Sequence, residues 1–519
     1  MKRWPAVLAA IGAVLIACSA WALLRWSLPE QHLLINQGGC HTPVTVLDPP
    51  GHQNPLASVV LFHGLAANSR LMTYLETVFA RAGWRVYLPD LPGHGTNTDR
   101  FTFARAQQCA DSTVEFLERS GQINPKKTIL AGHSLGGAIA IRMADRAPAL
   151  ATIAISPAPM IAPRRMPSNL LVVSAGFDIP ALKRGALALK QDAGGERTSV
   201  DDFSQDRAFH LEVTRYDTHT SLIQSARIAE ECANWIHNSL YPQDRIILGL
   251  SSWDANIRTY STAHQDVRVP ATLGLIGSLF LFPLGATIAA SICKSARPYQ
   301  AESFGAHTNH ALVLAEGAAC AIAAALLLEL GTPLQFLHLY SGDYLASLLL
   351  IVAALLLALN HSSARKALSF KPRGLVACAL LGFATILVIG GWLNWRTTTG
   401  LLNAPRWLRF VELLPVAWLF CYAEEVVLGP LGRGTRRAMR FALSLALRAE
   451  LWLACALMYY MFASGQVLIM LLFVFLAAFS ILHRLAADAL LRRDCAPPET
   501  SLFSAILAAW FIAAVFPLT

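Results

Sequence analysis

The sequence predicts a mostly parallel α/β domain joined to an all-α bundle of transmembrane helices. Of its 519 residues, 55% are hydrophobic and only 14% are charged, which is more apolar than an ordinary soluble protein. The apolar residues are unevenly placed. Residues 30–265 have the charge density of a water-soluble domain, whereas most of the remainder forms uncharged stretches long enough to span a bilayer. We therefore expect a membrane-bound protein with a soluble domain.

Composition and hydrophobic pattern divide the chain into four predicted segments. An N-terminal transmembrane anchor covers residues 1–28, and the α/β domain covers residues 29–242. A linker at residues 243–268 leads into a polytopic membrane domain of about eight helices at residues 269–519.

The predicted anchor begins with the basic residues Lys2 and Arg3, followed by an apolar run at residues 4–24. Such a run is typical of either a cleaved signal peptide or a retained membrane helix. Residues 15–18 look like a bacterial lipoprotein cleavage box ending at Cys18, but the apolar run continues beyond that cysteine. We favour an uncleaved anchor, with processing at Cys18 as the alternative.

The basic residues of the membrane half predict its orientation. With Lys2 and Arg3 in the cytoplasm, the connections on that side are rich in Lys and Arg, whereas the opposite connection at residues 331–342 has neither. The positive-inside rule then places the α/β domain outside the cytoplasm, on a bacterial plasma membrane. The net charge of +9 reflects this distribution, so we expect no nucleic-acid partner. Besides the anchor, the predicted spans are residues 269–292, 310–330, 343–360, 374–395, 410–431, 450–464, 466–483 and 501–518.

The ten cysteines include no Cys-x-x-Cys pair, and six lie at or beyond Cys293, in or beside apolar spans. This pattern predicts small apolar fillers and no metal cluster. In an oxidising compartment, Cys40, Cys109 and Cys232 could supply one disulfide, and the sequence leaves the pair open.

Within the α/β domain, short β-branched runs alternate with amphipathic helical stretches. This alternation is typical of a mostly parallel sheet covered by helices on both faces. Eight strands are predicted at residues 32–35, 44–47, 58–62, 85–88, 128–131, 152–155, 170–174 and 211–215. Helices are predicted at residues 70–82, 103–119, 135–145, 180–189 and 221–238. Only a short link joins the strands at 152–155 and 170–174, so we expect no large lid.

The most informative segment is Gly132-His133-Ser134-Leu135-Gly136, which lies between a predicted strand and a predicted helix. Glycines on both sides of a serine permit a strained turn and a close approach of the helix behind it. The pattern predicts a nucleophile elbow, in which the oxygen of Ser134 is raised above the edge of the sheet.

Further motifs follow other predicted strands. His63-Gly64 comes directly after the third strand, and the sequence Asp-Leu-Pro-Gly-His-Gly at residues 90–95 comes after the fourth. Asp178 follows the strand at 170–174, and His219 follows the last strand. With the elbow, these motifs make residues 30–240 resemble the α/β-hydrolase superfamily, in particular serine aminopeptidases and monoacylglycerol lipases. The resemblance implies an α/β-hydrolase fold with eight strands.

The resemblance also implies a Ser-His-Asp catalytic triad. Ser134 would attack a carbonyl carbon, His219 would take the serine proton and later return it, and Asp178 would orient the imidazole. The backbone N–H groups of Leu65 and Leu135 would form the oxyanion hole. The mechanism needs neither a metal nor an organic cofactor.

Each of these roles has a structural alternative. Ser134 could be a turn residue in an inactive domain, and Asp178 could merely cap the helix that begins near residue 180. A histidine at the start of a strand or late in a helix is less well placed for the base than His219. The competing acids and bases are Asp202, Asp206, His210 and His237.

A hydrolase tethered at a bilayer suits an acyl substrate. We expect cleavage of a carboxylic ester or thioester in a lipid or small molecule, with amide hydrolysis left open. Two other function classes remain: a transporter or lipid-handling bundle whose head processes or recognises cargo, and a non-catalytic binding module on a membrane anchor.

Several ionisable residues lie in apolar stretches of the membrane half, where they are costly. We expect them to pair with arginines or to face the bundle interior; a substrate conduit or lipid-entry groove is the alternative. Glu424-Glu425 and the Phe479-to-His483 spacing superficially resemble intramembrane prenyl-protein proteases, although Gly429 stands where those have an arginine. The residues concerned are Glu316, Glu424, Glu425 and His483.

Overall fold

The chain folds into two compact units, which we call the head unit and the bundle unit. The head unit comprises Ala20–Thr272, Trp395–Thr399 and Pro517–Thr519. The bundle unit comprises Met1–Ser19, Leu273–Asn394 and Gly400–Phe516. The computed structural model describes residues 3–51, 55–146, 149–159, 163–192, 199–243, 266–293, 310–429, 435–462 and 466–519. Most of the predicted linker at 243–268 lies outside these residues.

The head unit is built on a nine-stranded sheet with the order β1-β2-β4-β3-β5-β6-β7-β9-β8. The pairs β1–β2, β2–β4 and β8–β9 are antiparallel, and the other neighbours are parallel. All eight predicted strands are present; the two-residue edge strand β8 is too short to leave a sequence pattern. The strands are β1 (Glu30–Gln37), β2 (Cys40–Leu47), β3 (Ala57–Phe62), β4 (Trp84–Pro89), β5 (Thr128–His133), β6 (Ala151–Ile155), β7 (Leu170–Ser174), β8 (Ser199–Val200) and β9 (Phe209–Val213).

Every residue of β3, β5, β6 and β7 is buried, because helices cover both faces of the sheet. Since β5, β7 and β9 are parallel, the loops at their carboxyl ends meet at one edge of the sheet, where ligands of open α/β sheets bind. The N-terminal helix and the head helices are α1 (Trp4–Trp26), α2 (Thr73–Arg81), α3 (Phe103–Arg119), α4 (Leu135–Ala144), α5 (Pro180–Asp192) and α6 (Ala226–Leu240).

The bundle unit is helical. A π-helical turn, Ile386–Gly390, joins α11 and α12 into one apolar helix. Counting α1, the described part of the chain contains eight helices long and apolar enough to cross a membrane. The remaining helices are α7 (Arg268–Cys293), α8 (His310–Leu330), α9 (Gly342–Leu359), α10 (His361–Ala367), α11 (Pro372–Thr385), α12 (Gly391–Arg396), α13 (Ala404–Leu428), α14 (Thr435–Phe462), α15 (Val467–Leu471), α16 (Phe473–Leu491) and α17 (Pro497–Val515).

Three predicted spans differ from the observed helices. The span predicted at 450–464 covers only the second half of α14, which begins fifteen residues earlier. The span predicted at 466–483 is interrupted at Leu472, and the long apolar helix there is α16, which begins seven residues and ends eight residues later than predicted. The span predicted at 410–431 corresponds to α13, which is long enough but is not among the eight because it carries charged residues. Residues 430 and 431 lie outside the described chain.

The acidic residues of α13 are paired, as expected. Glu425 receives hydrogen bonds from Arg484, at 2.6 Å, and from Arg440. Glu424 receives a two-pronged contact from Arg448, at 2.7 and 3.0 Å. Removing one partner of such a buried ion pair would leave an unpaired charge in an apolar environment. These contacts therefore stabilise the packing of α13 against α14 and α16.

One disulfide lies in the head unit and joins Cys40, at the start of β2, to Cys109 in α3. The Cα atoms of the pair are 5.5 Å apart. Cys232 is a free, buried thiol in α6, where it packs as a small apolar side chain of the core. The structure thus selects one pair from the three cysteines that the sequence offered.

Candidate active site

Ser134 occupies a strained turn between β5 and α4. Its backbone angles are φ 53° and ψ −116°, a conformation that non-glycine residues rarely adopt. A Cβ on Gly132 would lie 2.3 Å from the backbone of Gly136, and a Cβ on Gly136 would lie 2.2 Å from the carbonyl oxygen of Phe62. Only glycine fits at either place, so the turn has the geometry of a nucleophile elbow.

Asp178 and His219 meet at the same edge of the sheet. The Nδ1 atom of His219 lies 3.1 and 3.3 Å from the two carboxylate oxygens of Asp178. The Asp178 side chain is fully buried, and the His219 side chain is 10% exposed. With Nδ1–H donating to the carboxylate, Nε2 of the neutral ring is left as a proton acceptor.

The hydroxyl of Ser134 has no hydrogen-bond partner among the described residues. Its backbone is held instead, because the N–H of Ser134 donates to the carbonyl of Ile155 at 2.8 Å. Its oxygen therefore has no structural task in the turn. Catalytic hydrogen bonds are often formed only when substrate is bound, so this arrangement is compatible with a nucleophile.

Ser156 is a site residue that the sequence reasoning missed. Its hydroxyl donates to Oδ2 of Asp178 and lies 3.2 Å from Nδ1 of His219. It follows β6 directly, between the strands that carry Ser134 and Asp178 in the sheet. The sequence feature that could have indicated Ser156 is its position as a polar residue directly after a predicted strand. Together with the backbone N–H of Ile179 at 3.1 Å, it fixes the orientation of the Asp178 carboxylate.

His133 holds the backbone beside His219. Its Nε2–H donates to the carbonyl oxygen of His219 at 2.9 Å, and the two ring centroids are 4.6 Å apart. Complete burial and the neighbouring His219 lower the pKa of His133 to about 3. The ring is therefore neutral at ordinary pH, and it positions the loop of His219 without adding a charge.

The loop that follows β3 passes beside the nucleophile. A Cβ on Gly64 would lie 3.1 Å from the Cβ of Ser134. The backbone N–H groups of Leu65 and Leu135 have no acceptor among the described residues, as is normal for the first N–H groups of a helix such as α4. Both N–H groups therefore remain available as hydrogen-bond donors.

Two buried side chains fix this loop. Asp90 accepts hydrogen bonds from the N–H groups of Ser69, at 2.8 Å, and Thr96, at 2.9 Å. His63 donates from Nδ1 to the carbonyl of Gly64 at 2.8 Å. Its Nε2 accepts from the N–H of Leu91 at 3.0 Å, and burial lowers its pKa. Both ring nitrogens of His63 are used, so its role is structural.

A second anchor of the loop comes from a distant part of the sequence. Asn68 donates to the hydroxyls of Thr398 and Thr399 at 3.0 and 2.9 Å. These threonines belong to the head unit although they stand between bundle helices in the chain. No local pattern of residues could predict this contact.

The competing acids and bases make other contacts. Asp202 is paired with Arg207 at 2.7 Å, and Asp206 lies 3.4 Å from the side-chain amide of Asn169. His210 lies near Glu212 and Glu231, at 3.6 and 3.8 Å. His237 packs against Tyr241 in α6. Of the candidates, Asp178 is the carboxylate that the structure brings to His219.

Comparisons with known proteins support the fold of the head unit. Residues 53–241 match the family described as serine aminopeptidase, S33. The chain contains an α/β-hydrolase domain. This domain is similar to serine hydrolases, among them esterases and lipases, and the predicted fold is confirmed.

Two curated relatives illustrate the similarity of the α/β-hydrolase domain. It is 34% identical over 91 residues to a pimeloyl-[acyl-carrier protein] methyl ester esterase of Nitrosospira multiformis, covering 18% of this chain and 34% of that protein. It is 26% identical over 136 residues to a thermostable monoacylglycerol lipase of Bacillus sp., covering 26% of this chain and 46% of that protein. The chain therefore spans less than half the length of either relative.

Solved structures are also similar to the domain. Esterase Pf2001 of Pyrococcus furiosus aligns with 42% of this chain and 95% of its own, with 13% identity and a TM-score of 0.33.

Outside the α/β-hydrolase domain, three cysteines form a cluster. The sequence analysis had predicted them to be separate, small apolar residues of the core. The Sγ atoms of Cys293, Cys378 and Cys495 are within 4.8 Å of one another, and all three residues are buried. They come from α7, α11 and the turn before α17, so no local spacing could have indicated the cluster.

Proposed function

We propose that the protein is a membrane-bound serine hydrolase that cleaves carboxylic ester or thioester bonds through an acyl-enzyme. The contact between His219 and Asp178 at the sheet edge that carries the Ser134 elbow supports this most strongly. A neutral imidazole oriented by a buried carboxylate beside a serine is the arrangement that acyl transfer requires.

In the proposed mechanism, Ser134 Oγ attacks the carbonyl carbon of the substrate while Nε2 of His219 removes its proton. The imidazolium that forms is stabilised by the buried carboxylate of Asp178. His219 then gives the proton to the leaving oxygen or sulfur, which departs and leaves an ester on Ser134. Water, deprotonated by the same nitrogen, hydrolyses that ester and restores the serine.

The negative oxygen of each tetrahedral intermediate would accept hydrogen bonds from the N–H groups of Leu65 and Leu135. One such donor is worth about 3–4 kcal/mol of transition-state stabilisation. Because both donors belong to the backbone, substitution of either side chain affects the rate only through loop geometry. The anchors of the loop, Asp90 and Asn68, therefore contribute to the rate indirectly.

Location and relatives together favour a lipid-type ester. Eight apolar helices in the described chain would place the α/β-hydrolase domain at a bilayer, and the disulfide Cys40–Cys109 favours an oxidising, extracytoplasmic compartment. The similar proteins include an esterase and a monoacylglycerol lipase. We therefore infer an acyl ester of the outer face of a bacterial plasma membrane as the substrate.

Turnover of a series of esters by the full-length protein in detergent tests this function. We expect hydrolysis of p-nitrophenyl esters and monoacylglycerols by the wild-type protein and at least a thousand-fold loss in Ser134→Ala. A variant at a competing histidine, His237→Gln, serves as the control and should remain active. Equal activity of Ser134→Ala and the wild type would refute the proposal. A reporter fused at residue 250 tests the orientation, which a cytoplasmic signal would contradict.

A second candidate function, lipid handling by the bundle unit, is favoured by a cavity among α9, α13, α14, α16 and α17. Its volume is about 130 Å³, roughly ten times what one water molecule needs. Its walls are mainly apolar, with Trp452, Arg448 and His483 among the lining residues. Nε2–H of His483 donates to the Ser504 carbonyl at 3.2 Å, which leaves Nδ1 as an acceptor.

Neither Nδ1 of His483 nor the N–H of Trp452 has a partner in the described chain, although both are buried. An acceptor and a donor in an apolar cavity match an alkyl chain with a hydroxyl head, such as a monoacylglycerol. Brominated monoacylglycerol should therefore quench the fluorescence of the wild-type protein more than that of Trp452→Phe. Equal quenching of the two proteins would exclude the cavity as the binding site.

A further inference from the structure

The thiol cluster of the bundle unit is built from three separate parts of the chain. Cys293 is the last residue of α7, Cys378 lies in the second turn of α11, and Cys495 precedes α17. Their exposed fractions are 2%, 0% and 2%. Other buried cysteines of the bundle, such as Cys455, stand apart from this cluster. Among the described residues, this is the only group of three His, Cys or acidic side chains whose ligand atoms come within 4.8 Å of one another.

A carboxylate lies next to the cluster. Glu499, in the first turn of α17, packs against Gly374, whose carbonyl oxygen is 3.9 Å from the Sγ of Cys293. Its two oxygens accept the N–H groups of Lys371, at 3.0 Å, and Ala496, at 2.9 Å. A Cβ on Gly374 would lie 2.2 Å from a Glu499 oxygen, so the glycine leaves the space that the carboxylate fills. The carboxylate is thus held in place by backbone N–H groups.

We propose that Cys293, Cys378 and Cys495 form a binding site for a zinc ion, with Glu499 next to it. Three sulfur ligands leave one position of the four-coordinate geometry that zinc prefers, and this position can take an oxygen ligand. A tetrahedral site with Zn–S bonds of about 2.3 Å separates its sulfur atoms by about 3.8 Å, which is within the observed limit.

Zinc binding accounts for features that simple packing does not. Buried apolar filling requires no convergence of three sulfur atoms from separate parts of the chain. On binding, the three thiols release their protons to solvent and form three Zn–S bonds, and the ion offsets most of the negative charge that results.

The predicted topology places the cluster on the cytoplasmic side of the membrane, where thiols remain reduced. If the α/β-hydrolase domain is extracytoplasmic, the end of α7 and the starts of α11 and α17 are cytoplasmic. Thiols there stay reduced and available to a metal, whereas Cys40 and Cys109 on the opposite side form a disulfide. The ion would then join the ends of three helices that are far apart in the sequence.

Metal analysis of the full-length protein tests this site. Protein purified in detergent from zinc-supplemented cells is analysed by inductively coupled plasma mass spectrometry. We expect about one zinc ion per chain in the wild type and in Cys455→Ser, a buried cysteine of α14 outside the cluster. Cys378→Ser should retain less than about a tenth of that zinc, and Glu499→Gln should bind zinc roughly 10- to 100-fold more weakly.

Three results would overturn the proposal. These are a wild-type protein without zinc, a Cys378→Ser protein with full zinc, and copper in place of zinc at the same stoichiometry. Because the serine variants could fail to fold, wild-type protein is also stripped with a chelator and reloaded with Co²⁺. Coordination by three thiolates predicts an intense sulfur-to-cobalt absorption in the near ultraviolet, and a spectrum of aqueous Co²⁺ would refute the site.

Discussion

Removal of the disulfide Cys40–Cys109 should strongly destabilise the α/β-hydrolase domain. The bond closes a loop with a sequence separation of 69 residues. The chain-entropy relation gives a stabilisation of about 4 kcal/mol for a loop of this length, since the crosslink restricts the unfolded chain. With a urea m value of about 2–3 kcal/mol/M, the unfolding midpoint should fall by about 1.5–2 M.

Pulse proteolysis of the full-length protein in detergent measures that midpoint through the fraction of folded domain at each urea concentration. We expect the fall in Cys40→Ser/Cys109→Ser and in reduced wild-type protein. Cys18→Ser, which alters an exposed free cysteine, should keep the wild-type midpoint. The reasoning fails if oxidised and reduced wild-type proteins unfold at the same urea concentration, or if the double variant matches the wild type.

Three further predictions concern the site. Asp178→Asn should lower kcat by roughly three to four orders of magnitude with little change in KM, because a neutral amide cannot stabilise the imidazolium of His219. A loss of only tenfold would contradict the role assigned to Asp178. Ser156→Ala removes a donor to a buried carboxylate and should lower kcat by roughly 10- to 100-fold at unchanged KM, whereas a twofold effect would make Ser156 dispensable. Stability should fall as pH drops below about 6.5 toward 3, because unfolded chains protonate His63 and His133 while the folded protein keeps them neutral. For His133 the slope is about 1.4 kcal/mol per pH unit, and the lowered pKa of His63 adds a loss in the same direction. His133→Asn should reduce the slope, and an unchanged urea midpoint at pH 7 and pH 5 would contradict this.

The sequence was sufficient to predict those parts of the fold and of the site that correspond to local patterns of residues. The strands of the sheet are continuous apolar runs, and the elbow is a five-residue motif whose glycines are required by contacts of 2.2 and 2.3 Å. Asp178 and His219 could be chosen because each follows a strand, and parallel strands bring their carboxyl ends together.

Features formed by distant residues could not be predicted in this way. Ser156 has no motif of its own and acts through its neighbour in the sheet. The partner of Cys40 depends on how α3 packs on β2, and the cluster around Cys378 depends on three helix ends meeting. The interruption at Leu472 falls within an apolar stretch, where hydropathy gives no sign of a helix end.

Labelling with a fluorophosphonate probe tests the central claim most directly. The probe reacts covalently with a serine only when a base activates the hydroxyl, so it reports on Ser134 without knowledge of the substrate. Membranes containing the full-length wild-type protein should give one labelled peptide, modified at Ser134, and His219→Ala and Ser134→Ala should give none. Labelling of Ser134→Ala at the wild-type rate would contradict the account.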